Sequence, residues 1–151
     1  MSQVGPAAPR LSAETIHAST VAIGSRAVLI TGPSGCGKSD LALRLLDRGF
    51  ELVSDDQTIV KRDGDRLVAT APPNIAGKLE VRGIGIVEVE YVGDMPIGLI
   101  IELTSEIERM PDEDRERQIL GVKLPLISID AMTASAPSKV ALALDRLGLK
   151  F

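Results

Sequence analysis

Residues 26–48 read RAVLITGPSGCGKSDLALRLLDR. An apolar stretch, Ala27 to Ile30, runs straight into Gly32-Pro33-Ser34-Gly35-Cys36-Gly37-Lys38-Ser39, and an amphipathic stretch leaves it. Strand, glycine-rich loop and helix in that order form the phosphate-loop (Walker A) pattern. Glycines let the backbone turn tightly and aim several N–H groups at one anion. The helix that follows brings the positive end of its dipole beneath the phosphates. Lys38 supplies a mobile cation for the β- and γ-phosphates, and the Ser39 hydroxyl can ligate magnesium, a hard ion that prefers oxygen. The eight loop residues are therefore expected to bind a nucleoside triphosphate with magnesium. Cys36 carries two readings, a reactive thiol beside a helix N-terminus and a small side chain that merely fits; the second is preferred.

Outward from the loop, Thr15 to Ile23 and Arg26 to Thr31 read as two strands joined by a turn at Gly24-Ser25. Lys38 to Arg48 reads as a helix, because Leu41/Leu45 and Ala42/Leu46 recur at spacing four; Gly49 is placed to end it. Glu51 to Ser54 is a short strand that leads into Asp55 and Asp56. Thr58 to Arg62 and Arg66 to Thr70 flank Asp63-Gly64-Asp65, a hairpin signal. Ile86 to Val92 and Ile97 to Leu103 read as further strands. The acidic run Glu102 to Arg117 reads as a solvated loop or short helix, Val122 to Ile129 as strand-like but interrupted by Pro125, and Lys139 to Leu147 as a closing helix. The class is α/β, with a β-rich second half and few helices. Residues 1–12, rich in Pro, Ala and Gly, read as a flexible tail before one domain over 13–151.

Composition narrows the function. The chain has 151 residues, 44% of them hydrophobic but only 2% aromatic, so the core must be aliphatic. A net charge of −4 without a basic run argues against nucleic-acid binding, and so few aromatics argue against base stacking. One cysteine and one histidine cannot build a zinc cluster or an intrachain disulfide. No signal-peptide pattern and no apolar run of membrane-spanning length is read, so a cytoplasmic location is expected.

Phosphoryl transfer also needs a second anchor for the cation and a group that orients the attacking oxygen. Asp55 and Asp56 follow an apolar strand downstream of the loop, where such groups are sought. Adjacent residues on an extended chain point opposite ways, so the two need not share a role. One could serve the metal and the other the nucleophile; a pair of exposed turn aspartates is the competing account. In Glu80-Val81-Arg82-Gly83-Ile84-Gly85, Glu80 and Arg82 would share a face if the chain is extended. By itself that pattern reads as a surface ion pair before a buried strand, and His17 by itself reads as a structural histidine on a strand.

Taken in order, these segments resemble the catalytic domain of the bacterial HPr kinase/phosphorylases. The matching stretches are His17-Ala18-Ser19-Thr20, GPSGCGKSDLALRLLDRGFELVSDD at 32–56, Leu79-Glu80-Val81-Arg82-Gly83-Ile84-Gly85 and, more weakly, Ile119 to Pro125. The resemblance spans residues 14–130. It implies a phosphate-loop kinase fold of the phosphoenolpyruvate-carboxykinase-like type. It implies ATP with Mg2+ and a serine protein kinase acting on an HPr-like phosphocarrier of a phosphotransferase system. Lys38 and the loop would hold the triphosphate, and Ser39 and Glu80 would ligate magnesium. Asp56, assisted by Asp55, would take the proton of the acceptor serine. His17 would line the site, Arg82 would neutralise the transferring phosphoryl group, and Arg109 would correspond to a catalytic arginine. The family further implies a homohexamer.

Two departures bear on activity. Only a short tail stands where the family has an N-terminal domain. The late segment Ser128 to Val140 also lacks the Pro- and Gly-Arg-rich pattern associated with dephosphorylation, having neither arginine nor glycine. Weak or absent phosphorylase activity is therefore expected. Two other readings remain at this stage: a small-molecule or carboxykinase-like phosphoryl-transfer enzyme, and a nucleotide-dependent switch without transfer.

Overall fold

The computed structural model describes residues 12–107 and 115–151. Among them are eleven strands and two helices. The strands are β1 (Ala13–Ile16), β2 (Ala18–Ile23), β3 (Arg26–Thr31), β4 (Glu51–Ser54), β5 (Thr58–Asp63), β6 (Arg66–Thr70), β7 (Lys78–Val81), β8 (Gly85–Glu88), β9 (Met95–Leu103), β10 (Glu116–Ile119) and β11 (Val122–Ile129). The helices are α1 (Lys38–Leu46) and α2 (Ala136–Leu147).

The main sheet runs β1-β5-β6-β9-β3-β2-β4. β3 lies between β2, antiparallel, and β9, parallel. The other edge of β9 is shared: β6 pairs antiparallel with it at Met95 and Pro96, and β11 pairs parallel with it from Ile100 to Leu103. β3 is covered on both faces, which explains its unbroken apolar sequence. Val28 and Ile30 pack on one side with Leu41 and Leu45 of α1 and Val140 and Leu144 of α2. Ala27 and Leu29 face the other side, with Val60, Leu67 and Leu124. All of these are buried.

Several expectations change. Thr15 to Ile23 is not one strand: β1 pairs with β5, β2 pairs with β3 and β4, and His17 stands at the corner where the chain changes partners. Ile86 to Val92 is not one strand: β8 pairs only with β7 in a separate two-stranded hairpin, and after it Tyr91 makes an isolated parallel bridge to Leu52 of β4. The acidic segment ends in strand β10 rather than in a loop or helix. β11 runs through Pro125 unbroken. Its ladder with β9 begins only at Leu126, so the missing proline N–H leaves no gap on that edge. α2 begins at Ala136, before the expected Lys139, since Pro137 suits a first helical turn.

Candidate functional site

β3 leads into the phosphate loop, β4 leads into Asp55, and β9 and β11 run parallel to β3. Antiparallel pairing of β2 with both β3 and β4 turns these two strands the same way. Four strand ends therefore converge on one edge of the sheet, the usual place for ligands in such sheets.

The loop conformation depends on its glycines. Gly35 and Gly37 have φ of 79° and 100°, in the left-handed region that side chains avoid. At Gly32 the constraint is space, since a Cβ there would lie 2.6 Å from Cys36 Sγ and 3.2 Å from Leu103 Cβ. Cys36 is half-buried against the core, in keeping with a side chain chosen for fit. Lys38 is buried and donates from Nζ to the carbonyls of Gly32 at 2.8 Å and Pro33 at 3.1 Å. An ammonium has three donors, so one remains for a phosphate oxygen in this pose.

Asp55 and Asp56 have opposite environments. Asp55 is 6% exposed, and burying a carboxylate is costly unless donors replace water. Three do so. Ser39 Oγ donates to its Oδ1 at 2.7 Å, Ser19 Oγ donates to the same atom at 2.8 Å, and the Glu80 backbone N–H donates to Oδ2 at 3.0 Å. Asp56 has φ 69°, a conformation uncommon outside glycine, and its side chain is 64% exposed. Its Oδ1 lies 2.7 Å from His17 Nε2. The two aspartates are thus joined to the loop and to His17 respectively, and they do not share an environment.

Glu80 reaches this cluster through its backbone; its own side chain is exposed. Arg82 lies beyond the end of β7 in the hairpin turn, so it does not share a strand face with Glu80, contrary to expectation. Turn geometry at the positive-φ Gly83 and Gly85 prevails over extended periodicity there. Arg109 falls outside the described residues. Two contributors were not read from the sequence. Ser19 lies buried between the aspartates, and its signal was only its membership of the His17-Ala18-Ser19-Thr20 match. Arg44 of α1 donates to the carbonyls of Ala131 and Thr133, which ties the late segment to the helix behind the loop.

The residues fit a nucleotide with magnesium. The Ser39 hydroxyl turns its hydrogen to Asp55, which leaves oxygen lone pairs free for a cation. No group of three His, Cys, Asp or Glu side chains gathers for a metal among the described residues. Magnesium needs no such cage, because it is commonly held by one or two protein oxygens together with phosphates and water.

Comparison with known proteins gives a consistent picture. The family model described as HPr Serine kinase C-terminal domain matches residues 10–143. An HPr kinase/phosphorylase of Limosilactobacillus reuteri is 38% identical over 139 residues, 83% of this chain and 42% of that protein. Another, of Alkaliphilus metalliredigens, is 40% identical over 128 residues, 76% of this chain and 41% of its own length. The chain thus spans about two fifths of the curated relatives it matches. A solved structure of the HPr(Ser) kinase/phosphatase of Coxiella burnetii agrees with TM-score 0.76 at 31% identity, covering 87% of this chain and 94% of that one. The expected fold, β-rich and of the phosphoenolpyruvate-carboxykinase-like phosphate-loop type, is the one observed.

Proposed function

Because the chain belongs to the HPr serine kinase C-terminal domain family, we propose that it is an ATP-dependent serine protein kinase acting on an HPr-like phosphocarrier protein. The observation that carries this reading is the joining of loop and aspartates at one sheet edge: Ser39 to Asp55, and Asp56 to His17.

The chemistry follows from these positions. Lys38 and the loop N–H groups hold the β- and γ-phosphates. Ser39 and Glu80 would hold magnesium, which supplies charge neutralisation across the phosphates when bound. Asp55 fixes the Ser39 hydroxyl. Asp56, exposed and steadied by His17, takes the proton of the acceptor serine as its oxygen bonds to the γ-phosphorus. The bond from that phosphorus to the β–γ bridging oxygen breaks, and ADP leaves. Arg82 at the hairpin turn, and Arg109, would balance charge on the transferring group.

The enzyme is proposed to be cytoplasmic and to work as a homo-oligomer, a hexamer by family resemblance. No helix among the described residues is long and apolar enough to cross a membrane. Phosphorylase activity is proposed to be weak or absent. The late segment has no arginine of its own. Among the described residues, the guanidinium groups that hydrogen-bond to this segment are engaged: Arg44 on the carbonyls of Ala131 and Thr133, Arg48 on Ser138 Oγ, and Arg115 on Ser128 Oγ and Glu102. Among the described residues, an incoming phosphate would find no uncommitted arginine fork at this segment.

Incubating the protein with radiolabelled ATP, magnesium and the HPr-like proteins of the same organism tests the proposal. Label on a serine of the carrier is expected. Label on a metabolite, or nucleotide binding without transfer, would overturn it. Pre-phosphorylated carrier with millimolar-scale phosphate should release pyrophosphate far more slowly than the forward reaction runs.

A further inference from the structure

Ser19 is the only side chain that touches both aspartate residues through hydrogen bonds among the described residues. It sits in β2, fully buried, paired in register with Ile30 of β3. Its Oγ donates to Asp55 Oδ1 at 2.8 Å and accepts from the Asp56 backbone N–H at 3.1 Å. A hydroxyl can do both at once, since it carries one donor and two acceptor lone pairs. Nothing else in this strand does so. Ala18 has no polar side-chain atom, and Thr20 turns away to Thr58 Oγ1 at 2.8 Å.

We propose that Ser19 is a positioning residue that couples the loop side of the site to the acceptor side. This inference rests on the proposed function. On one side Ser19 shares Asp55 Oδ1 with Ser39 Oγ, so it fixes the carboxylate against which the loop serine is oriented. On the other side it holds the peptide between the two aspartates. That peptide leads directly into the left-handed backbone of Asp56, at φ 69°. The direction of Asp56 toward His17, at 2.7 Å, follows from that backbone. Removing the hydroxyl leaves the Asp56 N–H without its partner and takes one donor from a buried carboxylate. Either change reaches the phosphate loop only through Asp55, which keeps its bond from Ser39 Oγ, and leaves Lys38 and the loop glycines untouched.

The test compares Ser19→Ala and Ser19→Thr with the wild type, using an HPr-like carrier as acceptor and measuring kcat, the KM for MgATP and nucleotide binding. Ser19→Ala should lower kcat about 10- to 100-fold, in the range of lost positioning. KM and binding of MgATP should change little, because Lys38 and the loop are intact. Ser19→Thr keeps the hydroxyl and should restore most of kcat. If Ser19→Ala does not fold, Ser19→Cys, close in shape but a weak donor and acceptor, takes its place and should show the same split. A buried serine with a merely structural role would lower the folded fraction and leave kcat per folded molecule unchanged; that result overturns the inference. Equal kcat losses in Ser19→Thr and Ser19→Ala would overturn it too. If the wild type transferred nothing to the carrier, the proposed function would fall and this inference with it. A transferring wild type with an unaffected Ser19→Ala would remove this inference alone.

Discussion

The loop side of the site and the side proposed to face the acceptor are built to different standards. On the loop side, Lys38 and Asp55 are buried, and each is held by at least two hydrogen bonds from or to fixed groups. On the acceptor side, the Asp56 side chain is 64% exposed, His17 is 47% exposed, and one contact joins them. The difference separates stability from chemistry. Buried groups with several partners contribute to both, so damage to them appears in folding and in binding. Exposed groups with one side-chain partner contribute little to stability, so damage to them appears mainly in chemistry. Under the proposed function, a rigid cradle suits the phosphates of a small nucleotide, and a protein acceptor that must arrive and leave needs an open face.

The sharpest way to break this contrast is Lys38→Ala. Transfer should be abolished and MgATP affinity weakened, as read by initial rates and calorimetry; unchanged turnover would remove the loop from the mechanism. Next is Asp56→Asn, which keeps shape and removes the base. Loss of general-base help costs about 10²- to 10⁴-fold in rate. MgATP binding and the thermal midpoint should stay as they are; lost binding with normal turnover per bound enzyme would instead make Asp56 a metal or structural residue. Asp55→Asn sharpens the comparison, because the amide must set an N–H against one of the three donors. A mismatched buried polar group costs about 1–3 kcal/mol, so its thermal midpoint should fall while that of Asp56→Asn does not. Equal midpoints would show that the buried side is not the stabilising one. Ser39→Ala should mainly raise the magnesium concentration needed for half-maximal rate. His17→Ala should have the smallest effect. One hydrogen bond to a charged group contributes about 1.5 kcal/mol, hence roughly tenfold in kcat with no change in nucleotide binding.

What could be read from sequence was local. Ala27 to Ser39 and the helix after it carry their structure in a contiguous pattern, and there the fold was legible. The division of labour between Asp55 and Asp56 was left open by sequence and is visible only in space. Asp55 meets Ser19 across 36 residues and Ser39 across 16, and Asp56 meets His17 across 39. No pattern marks Asp56 as left-handed, since aspartate occupies that conformation without glycine's signature. Strand β10 hid in an acidic run because its stability comes from pairing with β11 rather than from its own propensity. Glu80 and Arg82 looked like neighbours only while the chain was assumed straight.

The placement of β9 beside β3 also sets an order of events during synthesis. Thr31, the residue that enters the phosphate loop, donates its hydroxyl to Ile101 O, 70 residues later in the chain. A ribosome that has released everything through β6 has exposed the loop, α1 and both aspartates, yet β3 still lacks its parallel neighbour. Contacts this distant close slowly, because loop-closure entropy must be met first. The phosphate cradle is therefore complete as sequence long before it is fixed in space. During that interval the nascent chain carries the phosphate-loop motif on an aliphatic strand with one edge unpaired, the kind of edge that chaperones hold and that other chains can pair with.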